Sequence, residues 1–221
     1  MRVVLFGPPG AGKGTQGSLL AQAYGIPHIA TGDIIRDHIA RHTEFGLKIE
    51  EAIAGGNFAP DEDILYWVGK RLEEEDASQG YILDGFPRDL AQAEAFDRHN
   101  LAVGQGIDTV VELMIDQEVV AARLGGRLVC PTCGEPYHVV SRPPTVEGIC
   151  DRDGSVLLRR PDDEPEAIKH RFTIYDRMTL PLREYYRASG LYAEVNADGT
   201  PDDILQRICS VLDARKSASL G

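Results

Sequence analysis

The stretch RVVLFGPPGAGKGTQGSLLAQAY, residues 2–24, decides how the rest of the chain is read. Arg2 to Phe6 is a short apolar run with β-branched Val3 and Val4 that stops at glycine and proline turn signals, the pattern of a buried strand. Helical spacing resumes near Gly12 and runs through Leu19, Leu20 and Ala23. Between the two lies GPPGAGKGT, Gly7 to Thr15, a glycine-rich phosphate loop in the strand-loop-helix setting that such a loop requires. Its glycines let successive N–H groups face one concavity, the helix start adds partial positive charge, and Lys13 reaches outer phosphates as a point charge. Gly10, Ala11, Gly12, Lys13, Gly14 and Thr15 are therefore expected to hold a nucleoside triphosphate. The general pattern has Ser or Thr directly after the lysine, whereas Gly14 stands there and Thr15 follows one place later.

Four later runs repeat the strand pattern: His28 to Ala30, Tyr81 to Asp84, Thr109 to Ile115 and Leu191 to Val195, with helical patterns between most of them. This alternation predicts an α/β fold around a five-stranded parallel sheet. Asp61 to Glu74 places Ile64, Leu65, Val68 and Leu72 on one helix face behind a Pro60-Asp61 start. Pro165 to Arg187 reads as one helix with Ile168, Phe172, Tyr175 and Thr179 inward, leaving Lys169, His170, Arg171 and Arg177 to other faces. Thr200-Pro201 opens a last helix with Ile204, Leu205, Ile208, Val211 and Leu212 inward, and Cys209 reads as core packing. Gly125 to Pro161, rich in Gly, Pro, Cys and Val, lacks a helical period and reads as a small β insertion. The polar end from Arg215 to Gly221 is expected to fray.

At 221 residues, 43% hydrophobic and 26% charged, the chain fits one sizeable core with insertions, and no apolar run reaches bilayer length. A formal net charge of -12 repels nucleic acid and anionic membranes, so any bound anion must be gripped by local arginines. Gly-Pro-Pro-Gly cuts the first apolar run short of a signal peptide, and a cytoplasmic monomer is the expectation. Three of the four cysteines crowd between Cys130 and Cys150, which suggests a metal rather than disulfides.

YILDGFPR, Tyr81 to Arg88, is a strand that delivers Asp84 to its carboxyl end with Gly85, Pro87 and Arg88 in the turn beyond, the edge where open parallel sheets bind ligands. An Asp there holds the water shell of Mg2+, and an Arg there grips phosphate bidentately. Further on, Cys130-Pro-Thr-Cys133 and, after sixteen residues, Cys150-Asp-Arg-Asp153 have zinc-ribbon spacing. Three thiolates and a carboxylate leave no open coordination position, so the metal would be structural: zinc by geometry, with iron or cobalt also compatible. Knuckle symmetry favours Asp153 as fourth ligand, while Asp151 is near in sequence and His138 is the better ligand by type.

The Gly-Lys-Gly-Thr loop ending, TGDIIR from Thr31 to Arg36, the YILDGFPR string and Gln92 together closely resemble the adenylate kinases, over nearly the whole chain and in the bacterial form with a metal-bearing lid. The resemblance implies the three-layer P-loop kinase fold and reversible transfer between ATP plus AMP and two ADP with Mg2+. It implies a core of residues 1–29, 60–125 and 164–221, a helical AMP-binding insertion at 30–59 and a lid at 126–163. By the same likeness, Thr31, Arg36, Asn57, Phe58, Ala59, Gly85, Phe86, Pro87, Arg88 and Gln92 surround AMP, with Gln92 on the adenine edge. Arg160 and Arg171 reach the AMP phosphate, and Arg127, Pro136, Tyr137 and Gly199 join the loop around ATP. Lys13, Arg88, Arg123, Arg160 and Arg171 are the expected catalytic cations, whereas Arg159, Arg183 and Arg187 read as solvated charges. Two places depart from the family: Arg142-Pro143-Pro144 replaces a frequent Asn-Pro-Pro, and Asp198 to Pro201 lacks a lysine seen in some members.

Overall fold

The structure is a computed structural model, and residues 1–218 of it are described. The first apolar run forms β1 (Arg2–Phe6), and the glycine loop leads into α1 (Lys13–Tyr24). There follow β2 (His28–Ala30), α2 (Thr31–Ala40), α3 (Glu44–Ala54), α4 (Asp61–Leu72), β3 (Tyr81–Asp84) and α5 (Leu90–Ala102). The chain continues through β4 (Thr109–Met114), α6 (Gln117–Gly125) and an antiparallel pair, β5 (Arg127–Val129) and β6 (Pro136–His138). It closes with α7 (Pro165–Ile174), α8 (Leu182–Ala188), β7 (Tyr192–Asn196) and α9 (Pro201–Ala218). Among the described residues no helix is long and apolar enough to cross a membrane.

The main sheet runs β2-β3-β1-β4-β7, all parallel, so β1 is central and takes β3 on one side and β4 on the other. Successive side chains of a strand point to opposite faces, and here both faces are covered. Val4 and Phe6 pack with Ile35, Phe45, Ile49, Val68 and Phe96, while Val3 and Leu5 pack with Leu20 of α1 and Ile204, Ile208 and Leu212 of α9. That two-sided burial is why β1 reads as an unbroken apolar run, each such side chain contributing about 1.5–3 kcal/mol. Because all five strands are parallel, their carboxyl ends lie at one edge, where the loops converge.

Local signals set the helix starts. Thr200 Oγ1 accepts from the Asp203 N–H at 3.2 Å while Asp203 Oδ2 accepts from the Thr200 N–H at 3.1 Å, a reciprocal cap that opens α9. Asp89 Oδ1 accepts from the Gln92 N–H at 2.8 Å and opens α5.

The run from Pro165 to Arg187, expected as one helix, is broken. Tyr175–Thr179 winds as a π turn in which the Leu180 N–H reaches back to the Tyr175 carbonyl at 2.9 Å, and α8 restarts behind Pro181. Pro181 lacks an N–H, which removes the donor that would have continued the ladder. At the edge of the sheet, β4 stops at Met114 and β7 runs on to Asn196, because those two residues are register partners.

Arg183 corrects the sequence expectation of a solvated charge. Glu112 sits in the middle of apolar β4 and is 1% exposed. The Arg183 guanidinium donates to it at 2.9 and 2.8 Å, Tyr175 donates through its hydroxyl at 3.0 Å, and the Tyr192 hydroxyl also donates. A carboxylate on an inner strand has no water, so it persists only with such partners. Burial and the adjacent Glu112 push the Tyr175 hydroxyl far up, which keeps it a donor. Tyr175→Phe should therefore lower stability by about 1–2 kcal/mol, seen as a lower urea midpoint at unchanged slope.

Beyond α6, short bridges Val129 to Leu158, His138 to Arg142 and Ile149 to Val156 tie the β5-β6 lobe together. Its own apolar core is small: Cys130, Tyr137, Cys150 and Leu157.

Candidate active site

One cavity of about 940 Å³ lies at the carboxyl edge of the sheet, from the glycine loop past Asp84 and Arg88 to Tyr137 and Arg142. The loop is seated tightly at its base. Gly7 has φ +135°, and a Cβ there would lie 2.9 Å from the Leu113 carbonyl oxygen. Gly10, at φ +79°, packs so close to α6 that a Cβ would meet Val120 and Leu124 at 2.7 Å. Both positions demand glycine for backbone angle and for space.

Lys13 Nζ donates to the Gly7 and Pro8 carbonyls at 2.8 and 3.0 Å, which holds the ammonium over the loop. Burial pushes it down to about 8, only partly opposed by Asp84. Asp84 ends β3 opposite the loop, and a Cβ on Gly14 would lie 3.7 Å from its Oδ2. Gly14 thus keeps open the space before that carboxylate. Burial alone would raise Asp84, but His28, Lys13 and Arg88 outweigh it and hold the carboxyl below the usual range. An ionised Asp facing open space beside a phosphate loop fits a hydrated Mg2+.

The turn after β3 is rigidly built. Arg88 Nε donates to the Gly85 carbonyl at 2.7 Å, the Arg88 carbonyl accepts from Thr179 Oγ1 at 2.7 Å, and the guanidinium lies 4.3 Å over the Phe58 ring. Thr31 Oγ1 donates to the Gly85 carbonyl at 2.9 Å. Burial and the nearby Arg171 push Arg88 down to about 10, so it stays cationic at neutral pH.

Across the cavity, Arg127 donates bidentately to Asp163 at 2.6 and 2.5 Å, and Arg171 bridges Asp162 Oδ2 at 2.9 Å and Asp163 Oδ1 at 3.3 Å. Arg160 Nε is buried with no hydrogen-bond partner among the described residues. Burial, Arg36 and Arg127 push Arg160 down to about 10, whereas the surrounding arginines overcome burial to hold Asp162 below the usual range. These guanidiniums would repel one another without an anion between them. Asp162 and Asp163 supply that charge in the protein alone, and phosphate oxygens would do so in a complex.

Of the loop residues, Gly10, Gly12, Lys13, Gly14 and Thr15 line the cavity, while Ala11 is fully buried behind it. Arg123, Arg127, Pro136, Tyr137 and Gly199 line the same end, with Arg123 Nη2 donating to the Ala197 carbonyl at 3.2 Å. Arg36, Asn57, Phe58, Gly85, Pro87 and Arg88 line the opposite end, and Arg160 and Arg171 stand between. Thr31, Ala59, Phe86 and Gln92 are buried and do not reach the wall. Asp162, Asp163, Tyr175 and His28 were not anticipated as site residues. His28 Nε2 is 3.7 Å from Asp84 Oδ2. The aspartate pair did leave a signal, as two acids directly after the Arg159-Arg160-Pro161 run.

Cys130, Cys133, Cys150 and Asp153 bring their ligand atoms within 4.8 Å of one another. Cys133 and Cys150 Sγ are 3.6 Å apart, far beyond a disulfide and close to the edge of about 3.8 Å that tetrahedral zinc with Zn–S about 2.3 Å would give. The Cys133 and Arg152 N–H groups each donate to a ligand sulfur at 3.4 Å, the outer support expected of a metal knuckle. The other two residues lie outside that converging set: His138 Nδ1 accepts from the Val140 and Ser141 N–H groups and Asp151 Oδ1 from the Thr145 N–H. The donor set fits a structural metal.

A sequence model of the family described as adenylate kinase matches residues 5–191. The chain belongs to the adenylate kinase family. Among its curated relatives, the adenylate kinase of Clostridium beijerinckii is 42% identical over 216 residues, 98% of this chain and all of its own. That of Anaeromyxobacter sp. strain Fw109-5 is 46% identical over 205 residues, 93% of this chain and 96% of its own. The adenylate kinase family membership and the central parallel sheet agree on the P-loop kinase architecture.

Proposed function

We propose that the protein catalyses the reversible conversion of ATP and AMP into two ADP. The observation that carries this reading is one cavity holding two phosphate-binding ends, Lys13 with the glycine loop and Arg88 with Arg36, with Arg160 and Arg171 between them. A phosphate oxygen of AMP attacks the terminal phosphorus of ATP in line; the new P–O bond forms as the bond to the ADP leaving oxygen breaks. No covalent enzyme intermediate is needed, so positioning and charge stabilisation carry the rate. Lys13 and the loop N–H groups hold the ATP phosphates, Arg88 and Arg36 orient the AMP phosphate, and Arg123, Arg160 and Arg171 offset charge on the moving group. Bound Mg2+, held through water by Asp84, would supply further charge neutralisation.

Residues 30–59 serve in this reading as the AMP-binding insertion and residues 126–163 as a lid that excludes water, while 1–29, 60–125 and 164–221 form the core. Gln92 meets the purine edge, and Thr31 and the backbone around Ala59 and Phe86 shape its seat. Cys130, Cys133, Cys150 and Asp153 hold a structural zinc, with iron or cobalt as alternatives that elemental analysis separates. A cytoplasmic monomer without nucleic-acid or membrane partners fits the net charge of -12.

Purified protein incubated with Mg-ATP and AMP, GMP, CMP or UMP tests the assignment. ADP should accumulate fastest with AMP. Absence of ADP with AMP, or preference for another acceptor, overturns it.

A further inference from the structure

Gln92 is 1% exposed, and both ends of its amide are already engaged. Oε1 accepts from the Arg88 N–H at 2.9 Å, and Nε2 donates to Asp61 Oδ1 at 2.5 Å. A backbone N–H can only donate and an ionised carboxylate can only accept, so these two partners fix which end of the amide is which. A flipped amide would set N–H against N–H at Arg88 and oxygen against oxygen at Asp61. Each mismatch is costly at a buried group.

Asp61 has no basic partner among the described residues that would otherwise explain it. It opens α4 just after the Asn57-Phe58 stretch of the cavity wall, and Asp89 lies close on the α5 side. Burial pushes the Asp89 carboxyl up and the neighbouring Asp61 adds to the effect, yet Asp89 is committed through its Oδ1 to the Gln92 N–H. Asp61 is therefore the acid that faces the Gln92 amide group itself.

One hydrogen of Nε2 and one lone pair of Oε1 remain for a ligand. That donor-acceptor order complements a purine whose N1 accepts and whose 6-amino group donates. A 6-oxopurine presents the reverse, N1–H and an accepting O6, and needs the flipped amide.

We propose that Asp61 is a specificity-determining positioning residue, which holds the Gln92 amide in the one orientation that accepts a 6-aminopurine monophosphate and rejects a 6-oxopurine one. This rests on the reading that Gln92, buried just behind the cavity wall in the protein alone, meets the base when the nucleotide binds. Asparagine at position 61 offers both a donor and an acceptor, so it removes the oxygen-against-oxygen clash of the flipped amide and leaves only the Arg88 N–H against the flip.

Initial rates with saturating Mg-ATP and either AMP or IMP test this in the full protein, with Asp61→Asn and Asp61→Ala. Turnover of AMP by the unaltered protein checks the functional reading by itself; the AMP-to-IMP ratio of kcat/KM in the variants checks Asp61. Asp61→Asn should lower that ratio about tenfold while keeping KM for AMP within about twofold. Asp61→Ala should lower the ratio as far and raise KM for AMP, with KM for ATP unchanged in both. A purely structural role would instead reduce kcat/KM for AMP and IMP together. An unchanged ratio in the folded Asn variant, with melting temperature as the fold control, overturns the proposal.

Discussion

Lys13→Met leaves the fold standing and cuts ADP formation about 10³-fold. The ammonium rests on the Gly7 and Pro8 carbonyls, and methionine matches its reach without its charge. Stability should hold or rise, because the folded protein bears the cost of a dehydrated cation. The sign follows from the downward shift to about 8 from 10.5. Between those values the unfolded chain keeps a proton that the folded chain has released, so stability climbs with pH through that window. Below about 8 the full cost remains. Nucleotide phosphates restore the charge, so ATP binding near pH 8–9 should be coupled to proton uptake in the original protein and not in the Met variant. Calorimetry in buffers of different ionisation enthalpy measures that uptake, and a coupled ADP assay measures the rate. A rate within threefold of the original would remove Lys13 from the phosphates.

Cys130→Ser should lower the metal content of the protein and its melting temperature by roughly 10 °C, with less than about a threefold loss of turnover at moderate temperature. The lobe it belongs to has four residues in its apolar core. Too little surface is buried there to order the lobe by itself, and a metal held by the cysteine cluster would supply the difference. A metal present at a thousandfold its dissociation constant adds about 4 kcal/mol, and each kcal/mol moves the midpoint by about 2–4 °C in a chain of this size. A chelator should reproduce the loss in the original protein and change nothing further in the variant. Equal metal content in the two proteins would reject the cluster as a metal clip.

The inner strands β1, β3 and β4 were legible because both their faces are buried, and β1 and β3 also stop at a glycine, Gly7 and Gly85. The helix starts at Pro60-Asp61 and Thr200-Pro201 were legible for a similarly local reason. The π turn after α7 was not, since the apolar spacing of Ile168, Phe172, Tyr175 and Thr179 is compatible with an unbroken helix. Pro181 ends the ladder locally, and the partner of the turn is distant: Tyr175 reaches Glu112, 63 residues away in sequence. Arg183 was misread for the same reason, because its carboxylate lies 71 residues off in a strand that otherwise reads as apolar. Sequence spacing reports neighbours along the chain, and these pairs exist only after the sheet has brought them together. Asp162 and Asp163 escaped notice because acids beside arginines usually mark a solvated face, and only their burial shows the charge being held in reserve.

The central place of β1 bears on how the protein is made. The phosphate loop leaves the ribosome before its supports, since its stem needs Tyr81–Asp84 on one flank and Thr109–Met114 on the other. Its glycines seat against Leu113, Val120 and Leu124. At about 5–20 residues per second, the loop therefore spends on the order of ten seconds exposed and unformed before its last support arrives. ATP, abundant in the surrounding solution, cannot template the early chain; it can only capture a loop that the later half has already shaped.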